Sequence, residues 1–245
     1  MPLLPRSVIL TYHSLDNSCS VISMDPSRFA GQMEFLSTSG IPVVSLAEAA
    51  SHPGSVALTF DDGFQNFAEH ALPVLERHRF PATVFVVSGY CGKQNDWPNG
   101  ALTIPRLPLL SWNELAALPP RISVGAHTIT HRNLSQLSEN EAESELRLCR
   151  QTIEQRLGRS VPCLAYPFGA SSPRVRKLAA SQFALAVGTT LAFLPPGANQ
   201  MDLPRIDTYY FRAETALPRL FSPAGPPYIF LRHMLRQVRS RVLWA

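Results

Sequence analysis

The stretch Val56-Ala57-Leu58-Thr59-Phe60-Asp61-Asp62-Gly63 decides how this chain is read, because an apolar run ends in two adjacent carboxylates and a glycine. A short apolar run of this kind suits a strand buried on both faces, as in a parallel sheet. Ligands and chemistry gather at the carboxyl ends of parallel strands, which is where Asp61 and Asp62 fall. Neighbouring strand residues point to opposite sides, so both carboxylates serve one centre only where the strand breaks, and Gly63 supplies a break. The same residues also describe an Asx turn that simply ends a strand. A second apolar run, Ile122-Ser123-Val124-Gly125-Ala126, leads into His127-Thr128-Ile129-Thr130-His131. Two imidazoles and one carboxylate are a frequent three-ligand set for a divalent ion with a position open for water. The i, i+4 pair converges on one ion if its segment makes a helical turn, which Asn133 and Leu134 could continue. Alone, such a pair is a weak signal; beside Asp61-Asp62-Gly63 it gains weight.

A third apolar segment, Cys163-Leu164-Ala165, runs into Tyr166-Pro167-Phe168-Gly169, which by itself is an ordinary turn. Taken in order, T-F-D-D-G at 59–63, H-T-x-x-H at 127–131 and Y-P-F-G at 166–169 resemble the polysaccharide deacetylase family, carbohydrate esterase family 4, over roughly residues 7 to 210. The resemblance implies an α/β fold, a distorted (β/α) barrel of about seven strands, that removes acetyl groups from N-acetylhexosamines with one divalent metal ion. It also implies that Asp61 is the catalytic base, that Asp62, His127 and His131 are the metal ligands, and that the Tyr166 to Gly169 loop lies on the substrate side.

Amide hydrolysis asks for such residues. Water must be made nucleophilic near neutral pH, and a cation lowers its pKa from about 15.7 toward about 7. The tetrahedral oxyanion needs the cation and a backbone N–H, placed by the resemblance at Phe168. The leaving amine then needs a proton. In most of the family the acid is a histidine near the carboxyl terminus, but here the better candidate is His13, which ends the apolar run Val8-Ile9-Leu10-Thr11-Tyr12. That order resembles a circularly permuted branch of the family, which includes deacetylases of biofilm poly-N-acetylglucosamine. Otherwise His13 is a strand-end histidine bonded to backbone. Many members carry a third-motif arginine that orients the catalytic aspartate, and this chain has Ala165 there. Arg205, in Leu203-Pro204-Arg205-Ile206-Asp207, resembles the late-motif arginine of the permuted branch and could hold Asp61 bidentately; the alternative is a surface arginine.

The 245 residues suffice for one barrel domain, here assigned to 1–222, with a tail at 223–245. Hydrophobic residues make up 45% and charged residues 16%, which excludes a disordered chain. Net charge is +4, with Arg219, Arg232, Arg236, Arg239 and Arg241 crowded near the end, and no aromatic-basic platform points to nucleic acid. Four scattered cysteines without a C-x-x-C pair argue against a disulfide framework. The start lacks the apolar core of a signal peptide, so a cytoplasmic address is expected, with the glycan met as a nucleotide-linked or lipid-linked sugar before export.

Along the chain, strand-like and helix-like segments alternate. Helices are expected from Asp25-Pro26 to Ser39, from Phe64 to His78 with Pro73 as a kink, from Ser111, from Ser138 through Leu157, and from Ser172-Pro173 to about Ser181. Strands are expected near 41–44, 56–60, 83–87 and 183–187. The long loop at 89–110 carries Tyr90 and Trp97, which either stack on sugar rings or cover the barrel top. The tail combines Tyr228-Ile229-Phe230-Leu231, Met234, Leu235, Val238, Val242, Leu243 and Trp244 with arginines, a basic amphipathic helix that can lie on an anionic membrane at its inner face or pack on the barrel or a neighbouring subunit. Zinc, cobalt, nickel and iron suit the ligand set nearly alike, zinc being the first expectation. Two other functions stay open: a metal-dependent amide or ester hydrolase of a different small substrate, and a catalytically silent glycan-binding barrel.

Overall fold

Most strands of the main sheet are short and apolar because they are buried twice, once toward the inside of a ring and once toward the surrounding helices. The computed structural model describes residues 6–98, 103–213 and 215–242, of which 239–242 are described by backbone only. Trp244 and the rest of 243–245 therefore lie outside the described residues. In chain order, β1 (Val8–Tyr12) is followed by a small pair, β2 (Ser14–Leu15) and β3 (Ser23–Met24), and by α1 (Pro26–Thr38). Next come β4 (Val43–Val44), β5 (Val56–Phe60), α2 (Leu72–His78), β6 (Ala82–Val86), α3 (Trp112–Ala116) and β7 (Ile122–Ala126). The chain continues through α4 (Glu139–Leu157), β8 (Cys163–Ala165), α5 (Pro173–Ala180) and β9 (Leu185–Val187). It closes with β10 (Ile206–Asp207), α6 (Ala216–Leu220) and α7 (Gly225–Val242).

The sheet order is β10-β1-β5-β6-β7-β8-β9, with β4 also paired to β5, and every pairing is parallel. A parallel bridge from Val187 to Leu203 brings the segment before β10 back to β9, so the seven strands form a distorted barrel. The first strand sits between the last and the fifth, which puts His13 at the barrel mouth beside Asp61. Period-two alternation sorts the side chains. On β5, Val56, Leu58 and Phe60 join the cluster packed against the helices, while Ala57 joins the inner cluster of Ile9, Phe85, Cys163 and Val187. Thr59, on the inner side, donates to Leu10 O at 2.8 Å, and the next inward residue is Asp61. The barrel interior therefore turns from apolar to polar along one strand face.

Local signals explain most helix boundaries. Asp25 caps α1 by accepting from Ser27 and Arg28 N–H groups, and Ser111 with Glu114 and Ser138 with Glu141 form capping boxes on α3 and α4. The expected helix at 64–78 differs. A π-helical segment, Phe67–Ala71, precedes α2, and Leu72 is only half-buried. Pro73 has no N–H for the carbonyl four residues back and its ring crowds that carbonyl, so the turn before it widens, with Leu72 N–H reaching Phe67 O.

Gly125 on β7 marks the tightest point of the interior. A Cβ there would meet the Phe85 ring, with Cε1 at 2.5 Å, and Phe85 is completely buried, so the ring has nowhere to go. Gly125→Ala is expected to cost about 1–3 kcal/mol through overpacking, read as a fall of several degrees in the thermal unfolding midpoint. An unchanged midpoint would show that the barrel interior is looser than this packing.

Candidate active site

The break after β5 begins one residue earlier than the glycine. Asp62 itself adopts a left-handed backbone, with φ at 71°, and Gly63 follows at 74°. Two successive left-handed residues turn the chain so that Asp62 and Asp61 both face the barrel mouth. An L residue in this region is strained, and such strain collects at functional sites.

Asp61 is buried, and its two oxygens receive Arg205 Nη1 and Nη2, each at 2.7 Å. Arg205 is itself 2% exposed and is fixed by donating from Nε to Gly188 O at 2.9 Å and from Nη1 to Thr59 Oγ1 at 3.2 Å. It is thus no surface residue. Burial pushes the Asp61 carboxyl up, but the Arg205 guanidinium outweighs it and holds the group below the usual carboxylate range. His13, half-buried, puts Nε2 3.9 Å from Asp61 Oδ2.

Asp62 faces the histidine pair. Its Oδ1 lies 3.4 Å from His127 Nε2 and 3.3 Å from His131 Nε2, and has no hydrogen-bond partner. These separations match the edge of a tetrahedron whose corners sit about 2.0–2.1 Å from a central ion, roughly 3.3 Å. One donor atom from each of the three residues lies within 4.8 Å of the others. His127 Nδ1 sits 2.7 Å from Ala165 O; a carbonyl only accepts, so Nδ1 carries the proton and Nε2 keeps its lone pair for a cation. The orphaned carboxylate oxygen and the oriented imidazole both fit one divalent ion. Burial pushes the Asp62 carboxyl up, yet the facing imidazoles bring it well below the ordinary range. Burial lowers His131, whereas at His127 the two carboxylates overcome burial and raise it.

The histidine pair does not lie on a helical turn. After His127 the chain stays paired with the turn that follows β6, where Ser88 N–H reaches Thr128 O at 3.1 Å and Gly89 N–H reaches Ile129 O at 3.0 Å. Thr128 and His131 are left-handed, with φ of 66° and 57°. Glu145, buried on α4, holds this loop: one carboxylate oxygen accepts from Ile129 N at 2.8 Å and Thr130 N at 3.0 Å, the other from Thr130 Oγ1 at 2.5 Å. Sequence reading passed over Glu145, although a carboxylate among the apolar residues Ala142, Leu146 and Cys149 was a visible signal.

The third-motif loop divides by role. Tyr166 is buried and donates to Met201 O at 2.9 Å, Pro167 is buried, and Gly169, with φ at 68°, leaves space that a Cβ would take from Thr189. Phe168, with φ at 60°, turns its ring out, 54% exposed and 4.8 Å from the His131 ring. On the other side Trp97 is 7% exposed and packs at 4.4 Å on His131, with Tyr90 at 5.6 Å behind it. Trp97 lines the cleft, and Tyr90 stands edge-on behind it. The cleft, about 300 Å³, also takes Thr189, Asp207 and Arg236 into its wall. No motif marked Thr189, while Asp207 stood in the sequence only as a neighbour of Arg205 and Arg236 only as one of the tail's arginines.

Fold and donor set together define a class: a distorted parallel barrel that could hold one divalent cation at the carboxyl ends of its strands. The polysaccharide deacetylase family model matches residues 48–185, more than half of the chain, and the chain belongs to that family of carbohydrate deacetylases. A putative polysaccharide deacetylase of Bacillus subtilis, YxkH, is 25% identical over 202 residues, covering 79% of this chain and 66% of its own. A poly-beta-1,6-N-acetyl-D-glucosamine N-deacetylase of Staphylococcus aureus is 26% identical over 208 residues, 75% of this chain and 67% of its own. The chain thus spans about two thirds of the length of these relatives. Among solved structures, IcaB from Ammonifex degensii superposes with a TM-score of 0.73 at 25% identity, covering 90% of this chain and 97% of that one. The Streptococcus pyogenes deacetylase PplD, in complex with acetate, gives 0.75 at 21% identity over 90% and 100%, a likeness of fold.

Replacing Glu145 by Gln puts an amide against two backbone N–H groups and should loosen the loop that carries His131. Zinc affinity, read by competition with a chelator, is expected to fall about 10-fold or more. Unchanged affinity would mean the loop holds its shape without that carboxylate.

Proposed function

We propose that this chain is a metal-dependent hydrolase that removes N-acetyl groups from N-acetylhexosamine units of a poly- or oligosaccharide. The observation that carries this reading is the meeting, in one buried mouth, of an Asp62-His127-His131 donor set with an Asp61 carboxylate held ionised by Arg205. A divalent ion on that donor set, zinc first among zinc, cobalt, nickel and iron, supplies a water acidic enough to ionise near neutral pH and polarises the acetyl carbonyl. Asp61 accepts the proton of the attacking water, and the two-point grip of Arg205 fixes which way its oxygens face. The backbone N–H of Phe168 stands to the developing oxyanion as a donor. His13, across from Asp61, gives the proton that lets the amine leave. The Trp97 and Phe168 rings flank His131 and shield the reacting centre from bulk water.

The glycan is taken to be one built on N-acetylglucosamine, in line with the S. aureus relative and with IcaB. The missing third-motif arginine would favour a silent glycan-binding barrel, but Arg205 grips Asp61 from the segment before β10. A hydrolase of some other small amide finds no favouring feature. No helix among the described residues is long and apolar enough to cross a membrane. We further infer that the barrel, 1–222, is brought to a membrane by the 223–245 tail, at the anionic inner face where a basic helix is attracted.

Purified protein should release acetate from N-acetylglucosamine oligomers and lose that activity to chelator. Alanine at Asp62, His127 or His131 should remove metal and turnover together. Asp61→Asn should keep the metal while turnover falls about 10²–10⁴-fold; full turnover in this variant would end the assignment of the base. His13→Ala should also keep metal and slow most with poor leaving groups, and normal rates there would move the acid role elsewhere.

A further inference from the structure

The apolar side of α7 faces away from the barrel. Phe230, Leu231, Met234, Leu235 and Val238 are between 44% and 67% exposed, while Ile229 on the opposite arc is buried. Ile229 and Tyr228 thus meet the barrel while the rest of the stripe is left outside. The helix carries no acidic residue, and two of its arginines fall on the arc nearer the barrel. Arg232 lies over the rings of Tyr210 and Tyr228, at 5.3 and 5.4 Å. Arg236 donates to Thr189 O at 3.1 Å and lines the active-site cleft.

Two arginines reach that cleft, and they differ in what remains free. Arg205 has both terminal nitrogens on Asp61. Arg236 has no carboxylate partner among the described residues, and is exposed. The nearby wall carboxylate, Asp207, accepts from Tyr209 N at 2.9 Å. Thr189, which anchors Arg236, is the residue that Gly169 makes room for, so the guanidinium is tied to the third-motif loop. A second groove of about 480 Å³ lies between α7 and residues 190–196, with Phe193, Leu194, Ile229 and Phe230 in its wall beside Arg6 and His233. Arg236 in the cleft wall and the residues of α7 that line the groove therefore belong to one helix.

We propose that the substrate is an N-acetylated amino sugar carried as a glycosyl phosphate on a membrane lipid. The cleft takes the sugar, Arg236 takes the phosphate through its planar donor fork, and the outward face of α7 lies in the anionic bilayer that holds the lipid. This rests on the deacetylase reading and names its substrate class. An anionic surface is the occupant that suits the helix, because a second copy would set arginine against arginine with no acid to answer.

The test uses the full chain loaded with zinc, with acetate release measured on four substrates. They are isoprenyl-phosphate-linked N-acetylglucosamine and an uncharged alkyl N-acetylglucosaminide, both in vesicles containing phosphatidylglycerol, with soluble UDP-N-acetylglucosamine and N-acetylglucosamine oligomers. The phosphate-linked lipid is expected to exceed the alkyl glycoside at least 10-fold in kcat/KM. In Arg236→Gln that ratio should collapse toward one through KM, and Arg236→Lys should keep part of it. Equal use of the two vesicle substrates, an unchanged ratio in Arg236→Gln, or equal use of the soluble nucleotide sugar would each overturn the proposal while turnover of oligomers leaves the deacetylase standing. Silence on all four substrates would overturn both. Co-sedimentation with the same vesicles should weaken in Leu235→Glu; a dimer that ignores vesicles would also overturn it.

Discussion

Two carboxylates on consecutive residues, both nearly buried, need separate compensation: Arg205 supplies it to Asp61, and the orphaned Asp62 oxygen and the imidazole nitrogens facing it would share a cation. Asp61 has Arg205 gripping it at two points, and Asp62 has two imidazoles aimed at one oxygen. Everything at the barrel mouth follows from keeping these partners apart. Removing one partner of a buried pair leaves an uncompensated charge, which costs several kcal/mol, about 3–5. The arginine therefore has to be rigid, and Gly188 O and Thr59 Oγ1 make it so.

The second demand is on the backbone. Asp62, Thr128, His131 and Phe168 all sit in the left-handed region that non-glycine residues avoid, and all four belong to the site. Strain of this kind costs on the order of 1–3 kcal/mol per residue and persists only where surrounding structure over-determines it. Here the surroundings can be named: Glu145 under the histidine loop, the pairing of that loop with Ser88 and Gly89, and Gly169 beside Thr189. Fully buried strands and capped helices provide the rigid frame.

How much of this could be read from the amino acids follows the range of the interactions. The Asp61 strand end and the caps at Asp25, Ser111 and Ser138 are local and were legible. His13 at the mouth followed from the apolar run before it. The shape of the histidine loop was not legible, because i, i+4 spacing suggests a helix wherever a distant carboxylate and a neighbouring strand do not impose another path. Arg205 could be proposed but not placed, since its partner lies 144 residues away. The amphipathic tail showed that a face exists without telling which way it turns, and the turn is what brings Arg236 to the cleft. Pro73 signalled a kink, while the widened turn before it depended on how the helix meets the core.

The central claim is that one divalent ion is shared by Asp62, His127 and His131 while Asp61 remains free of it. Anomalous X-ray diffraction from crystals of the zinc-loaded protein tests this most directly. A single peak about 2.0–2.2 Å from an Asp62 oxygen and from Nε2 of both histidines, with Asp61 still on Arg205, is the predicted result. A peak bound by Asp61, or none among the three residues, would contradict it.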